Sequence, residues 1–435
     1  MRYLAANGLA AAALLAVLAF SAPAEASRRQ LITLYMVQSG TLRQTTNEGT
    51  LNSVNTPLGY TLCMQKMSQM NISAFTGTFD LDTGKVIYDL NDFDESFVAN
   101  FLYDVYRFAT SIFLVGRENG MSDTNIYTCV RSFVNFYCDR VKDIANGVIS
   151  DSFVWSSSNA YGRIDNLIID AETNESRKKM LDKWTVINAT TSTRKFMSNA
   201  VNPDLDAVNT TERSAIIAAM PAYYTNTITS TSFTNKAAYF KVLDVAKRLN
   251  AGTGSLGTPR YYVLVDGAST GTSDDRILDV KLQGKPTVYA YLSSTAKAAV
   301  DNAVANNAER AVKAYKKLIN QADNHLGWMT FLSGNYSVRE RSPFKASLDT
   351  AGVDLSSLTN LAEQWGVMLA GAHARSDGGS FGTPTSFETV VKNLVAGNQD
   401  LFKTEVADFA QRYANQVNED FSIFRTSLAA GKLCI

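Results

Sequence analysis

The chain has 435 residues, enough for more than one domain and a sizeable core. Its 41 basic and 41 acidic side chains cancel, which argues against a nucleic-acid surface or a polybasic membrane footprint. At 46% hydrophobic and 19% charged residues, the composition excludes a disordered chain. The histidines are His325 and His373, and His/Cys spacing of the zinc-site type is absent, so a structural zinc cluster is not expected.

In chain order, Arg2 precedes the apolar run 9–20 (LAAAALLAVLAF), and Ala24-Glu25-Ala26 follows it. That order reads as a secretory signal over residues 1–26. The run is short for a bilayer that needs ~20 residues, so cleavage after Ala26 is expected rather than a stable membrane anchor. The expected location is periplasmic or secreted. Of the cysteines Cys63, Cys129, Cys138 and Cys434, the middle two fall on one predicted helix. Nine helical residues separate their Cα atoms by roughly 13.5 Å. A disulfide needs about 7 Å or less, so these two are read as buried free thiols.

Segments 74–79 and 85–90 read as strands joined by the turn Asp82-Thr83-Gly84. A dense acidic stretch, Asn91-Asp92-Phe93-Asp94-Glu95, comes next. Phe97, Phe101, Val105, Phe108 and Ile112 then form one helical stripe, and Ser122-Asp123 caps a second helix. Residues 155–235 are polar, with short helical pieces. Strands 242–249, 261–265 and 277–282 predict a small antiparallel sheet, and 294–322, 358–374 and 386–417 predict helices.

Four constellations could carry chemistry. Gly252, Gly254 and Gly257 form a G-x-G-x-x-G turn, but a strand follows it where a dinucleotide fingerprint requires a helix. Such a turn between strands is either an unliganded hairpin or the arrangement that covers ATP phosphates in protein kinases. Lys281, mid-strand, could reach those phosphates, or it could be a solvated edge lysine. Asp89, Asp92 and Asp94 cluster at a strand end, which suits a hard cation such as Mg²⁺; plain surface acids are the alternative. His373, with Arg375, ends an apolar helix and offers a general base or simply a charge on the helix dipole.

Segments 88–96 (YDLNDFDES), 244–265 (DVAKRLNAGTGSLGTPRYYVLV), 325–331 (HLGWMTF), 336–340 (YSVRE) and 369–377 (LAGAHARSD) together resemble the bacterial family called domain of unknown function 2252. The family is similar to protein kinases and aminoglycoside phosphotransferases, with the motifs in permuted order. The resemblance implies an α/β (α+β), two-lobed kinase-like fold, a small antiparallel sheet beside a larger helix-rich lobe. Segment 240–293 would be the sheet, and 27–239 with 294–435 the helix-rich lobe. It also implies Asp92 and Asp94 as metal ligands with Asp89 as alternative and Asn71 beside them. Gly252, Gly254, Gly257 and Lys281 would hold phosphates, so Mg and a nucleotide are the implied cofactors. Where the family carries G-D-x-H-x-x-N, this chain has Lys66 and Ser68 at the Asp and His positions and keeps Asn71. A protonated lysine cannot accept the substrate's proton. The expected function is therefore an exported kinase-like pseudoenzyme that binds a small molecule or protein. The alternative is an active phosphotransferase or nucleotidyl transferase; a hydrolase using His373 stands third.

Overall fold

The computed structural model describes residues 86–251, 257–269, 271–292, 294–344, 346, 348–376 and 387–430, with strand segments 35–38, 41–44, 60–62 and 74–76. Residues 1–26, read above as a signal, and Cys63, Lys66, Ser68, Asn71, Gly252, Gly254 and Cys434 lie outside the described residues.

The fold is mixed α/β. Short strands β1 (Tyr35–Gln38), β2 (Thr41–Gln44), β3 (Tyr60–Leu62), β4 (Ala74–Thr76), β5 (Val86–Tyr88) and β6 (Val98–Asn100) come first. β4 and β5 pair antiparallel, as their patterning predicts, and β5 also pairs with β7 (Trp155–Ser156). Helices α1 (Leu102–Glu118) and α2 (Asp123–Ala145) follow β6. The predicted stripe from Phe97 is thus only partly helical, because β6 pairs with β3 before the first helical turn forms. Ser122 does cap α2, its hydroxyl accepting from Asn125 N–H at 3.3 Å.

α2 buries Ile126, Cys129, Val130, Phe133, Val134, Tyr137, Cys138 and Val141, a spacing of three and four residues that keeps one face inward. Cys129 and Cys138 are free and buried.

Helices α3 (Arg163–Asn174) and α4 (Arg177–Trp184) are followed by β8 (Thr185–Ile187), β9 (Arg194–Phe196) and β10 (Leu205–Ala207), and then by α5 (Thr210–Asn226). Next come α6 (Lys236–Tyr239), β11 (Val242–Arg248), β12 (Arg260–Val265), β13 (Arg276–Leu282), α7 (Ser294–Asp301), α8 (Asn307–Leu318), β14 (Gly327–Phe331) and β15 (Gly334–Glu340). The chain closes with α9 (Leu355–Arg375), α10 (Phe387–Val395) and α11 (Gln399–Ala429).

The largest sheet has the order β10-β11-β12-β13-β15-β14, antiparallel throughout. The predicted three-stranded sheet is its centre. Strands from 205–207 and 327–340 extend it, drawn in from segments that read as helix-rich. One face packs Val263, Val265, Leu278, Val280 and Val338 against α5. On the other, Tyr262, Leu264 and Ile277 pack against α4. A separate core joins α1, α2, α9, α10 and α11. There Gly366 of α9 lies directly on α2, where a Cβ would come within 2.3 Å of the Phe133 carbonyl oxygen. Only glycine allows that approach.

Candidate functional site

Alternation along β13 places Ile277, Asp279 and Lys281 on one face of the sheet. Opposite residues share that face: Lys281 sits between Arg260 of β12 and Ser337 of β15, and Asp279 between Tyr262 and Arg339. The apolar end of the face is covered by α4, and the polar end carries Arg260, Asp279, Lys281, Ser337 and Arg339. β13 is an interior strand, so the edge-lysine reading of Lys281 does not hold.

The acidic segment lies against this polar end. Asp94 forms an ion pair with Lys281 through Oδ2, while Gln283 Nε2 donates to its Oδ1 at 2.8 Å. Arg339 donates to Asn91 Oδ1 at 3.0 Å. Behind it, Arg310 of α8 is almost fully buried and donates to the Asp94 carbonyl at 2.7 Å, the Gly284 carbonyl at 3.0 Å and Ser96 Oγ at 3.0 Å. Burial lowers the Arg310 guanidinium to about 10, against the opposing pull of Glu95 and Asp94. Phe93 wedges edge-on against Tyr315 of α8 with ring centres 4.8 Å apart. Asp92, between these anchors, takes the left-handed backbone conformation at φ 70°. Such a conformation in a non-glycine residue costs about 1 kcal/mol or more and is held by its surroundings.

Asp279 is nearly buried and receives a bidentate guanidinium from Arg260, whose Nε donates at 2.6 Å. Burial pushes its carboxyl up, but Arg260, Arg339 and Lys281 outweigh that and hold it at about 2. Arg260 also donates to the Ala251 carbonyl at 3.4 Å, where the turn leaves β11. On the far side of the turn Gly257 has φ 73°, a conformation that favours glycine. Lys281 therefore stands at the end of the sheet to which the turn belongs.

The other predicted residues are elsewhere. Asp89 is buried and faces Arg375, Oδ2 to Nη2 at 3.6 Å. Burial raises its carboxyl to about 6, with Arg375 partly opposing the shift. Arg375 itself is tied to the Leu318 carbonyl. His373 is fully enclosed, accepting from Tyr137 at Nδ1 (2.8 Å) and donating to Asp104 from Nε2 (3.2 Å) when the carboxylate is ionised. Phe101 and Phe387 pack edge-on against its ring. A histidine sealed in that way has no route to a substrate, so the general-base reading of His373 is not supported by the geometry. Of the predicted cation ligands, Asp94 reaches the sheet and Asp89 does not.

Sequence reading missed Arg260, Asp279, Gln283, Arg339 and Arg310. Alternation of Asp279, Lys281 and Gln283 was a visible signal for three polar groups on one face.

Residues 73–427 match the family described as an uncharacterised protein conserved in bacteria, DUF2252. The chain belongs to that family. The DUF2252 match includes the acidic segment, Lys281 and His373, and begins after Lys66, Ser68 and Asn71. No curated protein and no solved structure matches the chain.

Proposed function

We propose that this DUF2252 protein is an exported, kinase-like binding protein that holds a phosphorylated small molecule, with a nucleotide as the leading class, at the polar end of its sheet. The observation that carries the reading is the ion pair between Lys281 and Asp94, 187 residues apart, with Lys281 opposite Arg260 of β12. Supporting it is the run of elements: antiparallel β11 and β12, a lysine on the next strand, helices α7 and α8, then hairpin β14–β15. Protein kinases use a glycine-rich loop over the phosphates and a lysine on the third strand.

The lysine's carboxylate partner departs from that scheme. In kinases a helix glutamate holds it; here Asp94 does, and α8 contributes Arg310. A Mg²⁺ ion on Asp94 would compete with Lys281 and Gln283 for the same two oxygens. That competition, with Lys66 where the family carries an acid, favours binding over turnover. A phosphate on Lys281 and Arg339 would free Asp94 for the ion, so ligand and cation should bind together. The signal-like residues 1–26 support export.

Calorimetry and thermal shift with ATP, GTP and inorganic pyrophosphate, each with and without Mg²⁺, test this reading. Binding of at least one, lost in Lys281→Ala and weakened in Asp94→Asn, is expected. A flat response to all three overturns it. Phosphorylated acceptor appearing in wild type and absent in Asp94→Asn would replace the binding reading with an active transferase.

A further inference from the structure

A second group of chemistry-bearing residues lies on the opposite side of the sheet from Lys281. Glu340 ends β15 and, opposite Leu278, faces the α5 side. Asp323 and His325 come from the turn before β14. Their side chains are 14% and 1% exposed, and that of Glu340 is 2%. We propose that Asp323, His325 and Glu340 form a binding site for one divalent first-row transition ion of the zinc class.

The ligand atoms converge. His325 Nδ1 is 2.9 Å from Asp323 Oδ1 and 3.5 Å from Glu340 Oε2, and one donor atom from each residue lies within 4.8 Å of the others. An ion bound at about 2.0–2.2 Å spaces tetrahedral ligands about 3.4 Å apart, so small rotations suffice.

The atoms that would not touch the ion already have partners. Tyr239 Oη meets His325 Nε2 at 2.8 Å and can accept its hydrogen. Arg177 donates to Glu340 Oε1 at 2.6 Å, with Arg276 Nε at 3.4 Å from the same oxygen. Glu340 N–H donates to Asp323 Oδ2 at 2.6 Å. Phe233 and Phe240 flank the imidazole, with ring centres at 5.0 and 6.0 Å. Metal sites orient their ligands in this way, through groups on the far atom of each ligand and an apolar wall.

The rival arrangement is a network without metal, His325 Nδ1–H donating to Asp323. It leaves Glu340 Oε2, a buried carboxylate oxygen, with no hydrogen-bond partner among the described residues. Leaving such an atom unsatisfied is costly. An ion removes the cost: Nδ1 gives its hydrogen up, the neutral ring carries it on Nε2, and Tyr239 accepts it. One imidazole and two carboxylates suit Zn²⁺, Co²⁺ or Mn²⁺ better than Ca²⁺ or a thiolate-seeking ion. Arg177 and Arg276 offset the two carboxylate charges, so affinity should fall below that of a four-ligand structural zinc site. Water would complete the shell. The ion would clip the turn before β14 to the end of β15.

Chelator-stripped, tag-free full chain titrated with Co²⁺ tests the proposal. One equivalent should give the visible absorption of four-coordinate cobalt, and Zn²⁺ should displace it and raise the melting temperature. The near-isosteric Glu340→Gln and Asp323→Asn should each weaken Co²⁺ binding at least tenfold, while His373→Gln leaves it unchanged. Absence of the spectrum in folded wild type overturns the site, as does an unaltered titration in both carboxylate variants. If a variant does not fold, the wild-type spectrum and its metal content decide.

Discussion

The helical core and the polar end of the sheet each join distant residues through an acid–base pair, His373 with Asp104 in one and Lys281 with Asp94 in the other. Their surroundings differ. The His373 ring is completely buried, and its two nitrogens are used by Tyr137 and Asp104. Lys281 and Asp94 keep 16% and 17% of their side chains exposed. A sealed pair with every donor satisfied fixes helix positions and offers a ligand nothing. A half-open pair, charged and exchangeable, gives a phosphate or a cation something to compete for. Residue type alone would rank the histidine first as chemistry; solvent access reverses that order.

Four substitutions sharpen this contrast. The largest effect is expected for Arg310→Met, which strips the acidic segment of its buried anchor while Glu95 and Asp94 remain. A loss of about 4 kcal/mol in urea unfolding is expected, together with loss of any ligand response. Retained binding would show that the segment holds its place without Arg310.

Gly366→Ala attacks the helical region alone. The added methyl meets the Phe133 carbonyl, so about 3 kcal/mol of stability should be lost. Ligand affinity, measured on the folded fraction, should not change; a weakened affinity would couple the two regions.

Asp89 is a buried acid of the helical side with a raised carboxyl, about 6 against an ordinary 3.8. Its stabilising contribution is present below the ordinary value and is lost as pH rises through 6. Wild-type stability minus that of Asp89→Asn should therefore fall by about 2–3 kcal/mol between pH 4 and pH 7. A difference that rises over that range contradicts burial as the dominant cause.

Asp279 on the sheet face has the opposite sign. Its carboxyl is held at about 2, below an ordinary 3.8, so its contribution is present above the ordinary value and is lost as pH falls toward 2. Asp279→Asn should cost about 2 kcal/mol at pH 7, and the cost should shrink on acidification below pH 4. A pH-independent cost would mean that Arg260 and Arg339 are not what holds it ionised.

Much of the local structure was legible. The Ser122 cap, the period of α2 and the apolar runs of β12 and β13 are governed by neighbours within a few residues, and all appear where the pattern places them. Asp92, Asp94 and Lys281 could be picked out because their residue types are unusual beside apolar strands. Their partners could not. Arg260 and Asp279 are 19 residues apart, Arg339 and Asn91 248, and nothing in the intervening sequence marks them.

Asp-x-His at 323–325 was a faint metal signal, but the glutamate that completes the cluster comes from the second strand of the following hairpin. The sequence by itself determined the period of α2, the apolar runs of β12 and β13, the free cysteines of α2 and the family, since these depend on local periodicity and short motifs. Tertiary structure alone decided that His373 is sealed, that Asp89 turns to Arg375 while Asp94 turns to Lys281, and that the sheet has six strands. Burial and long-range strand pairing set those outcomes, and both depend on which distant surfaces meet.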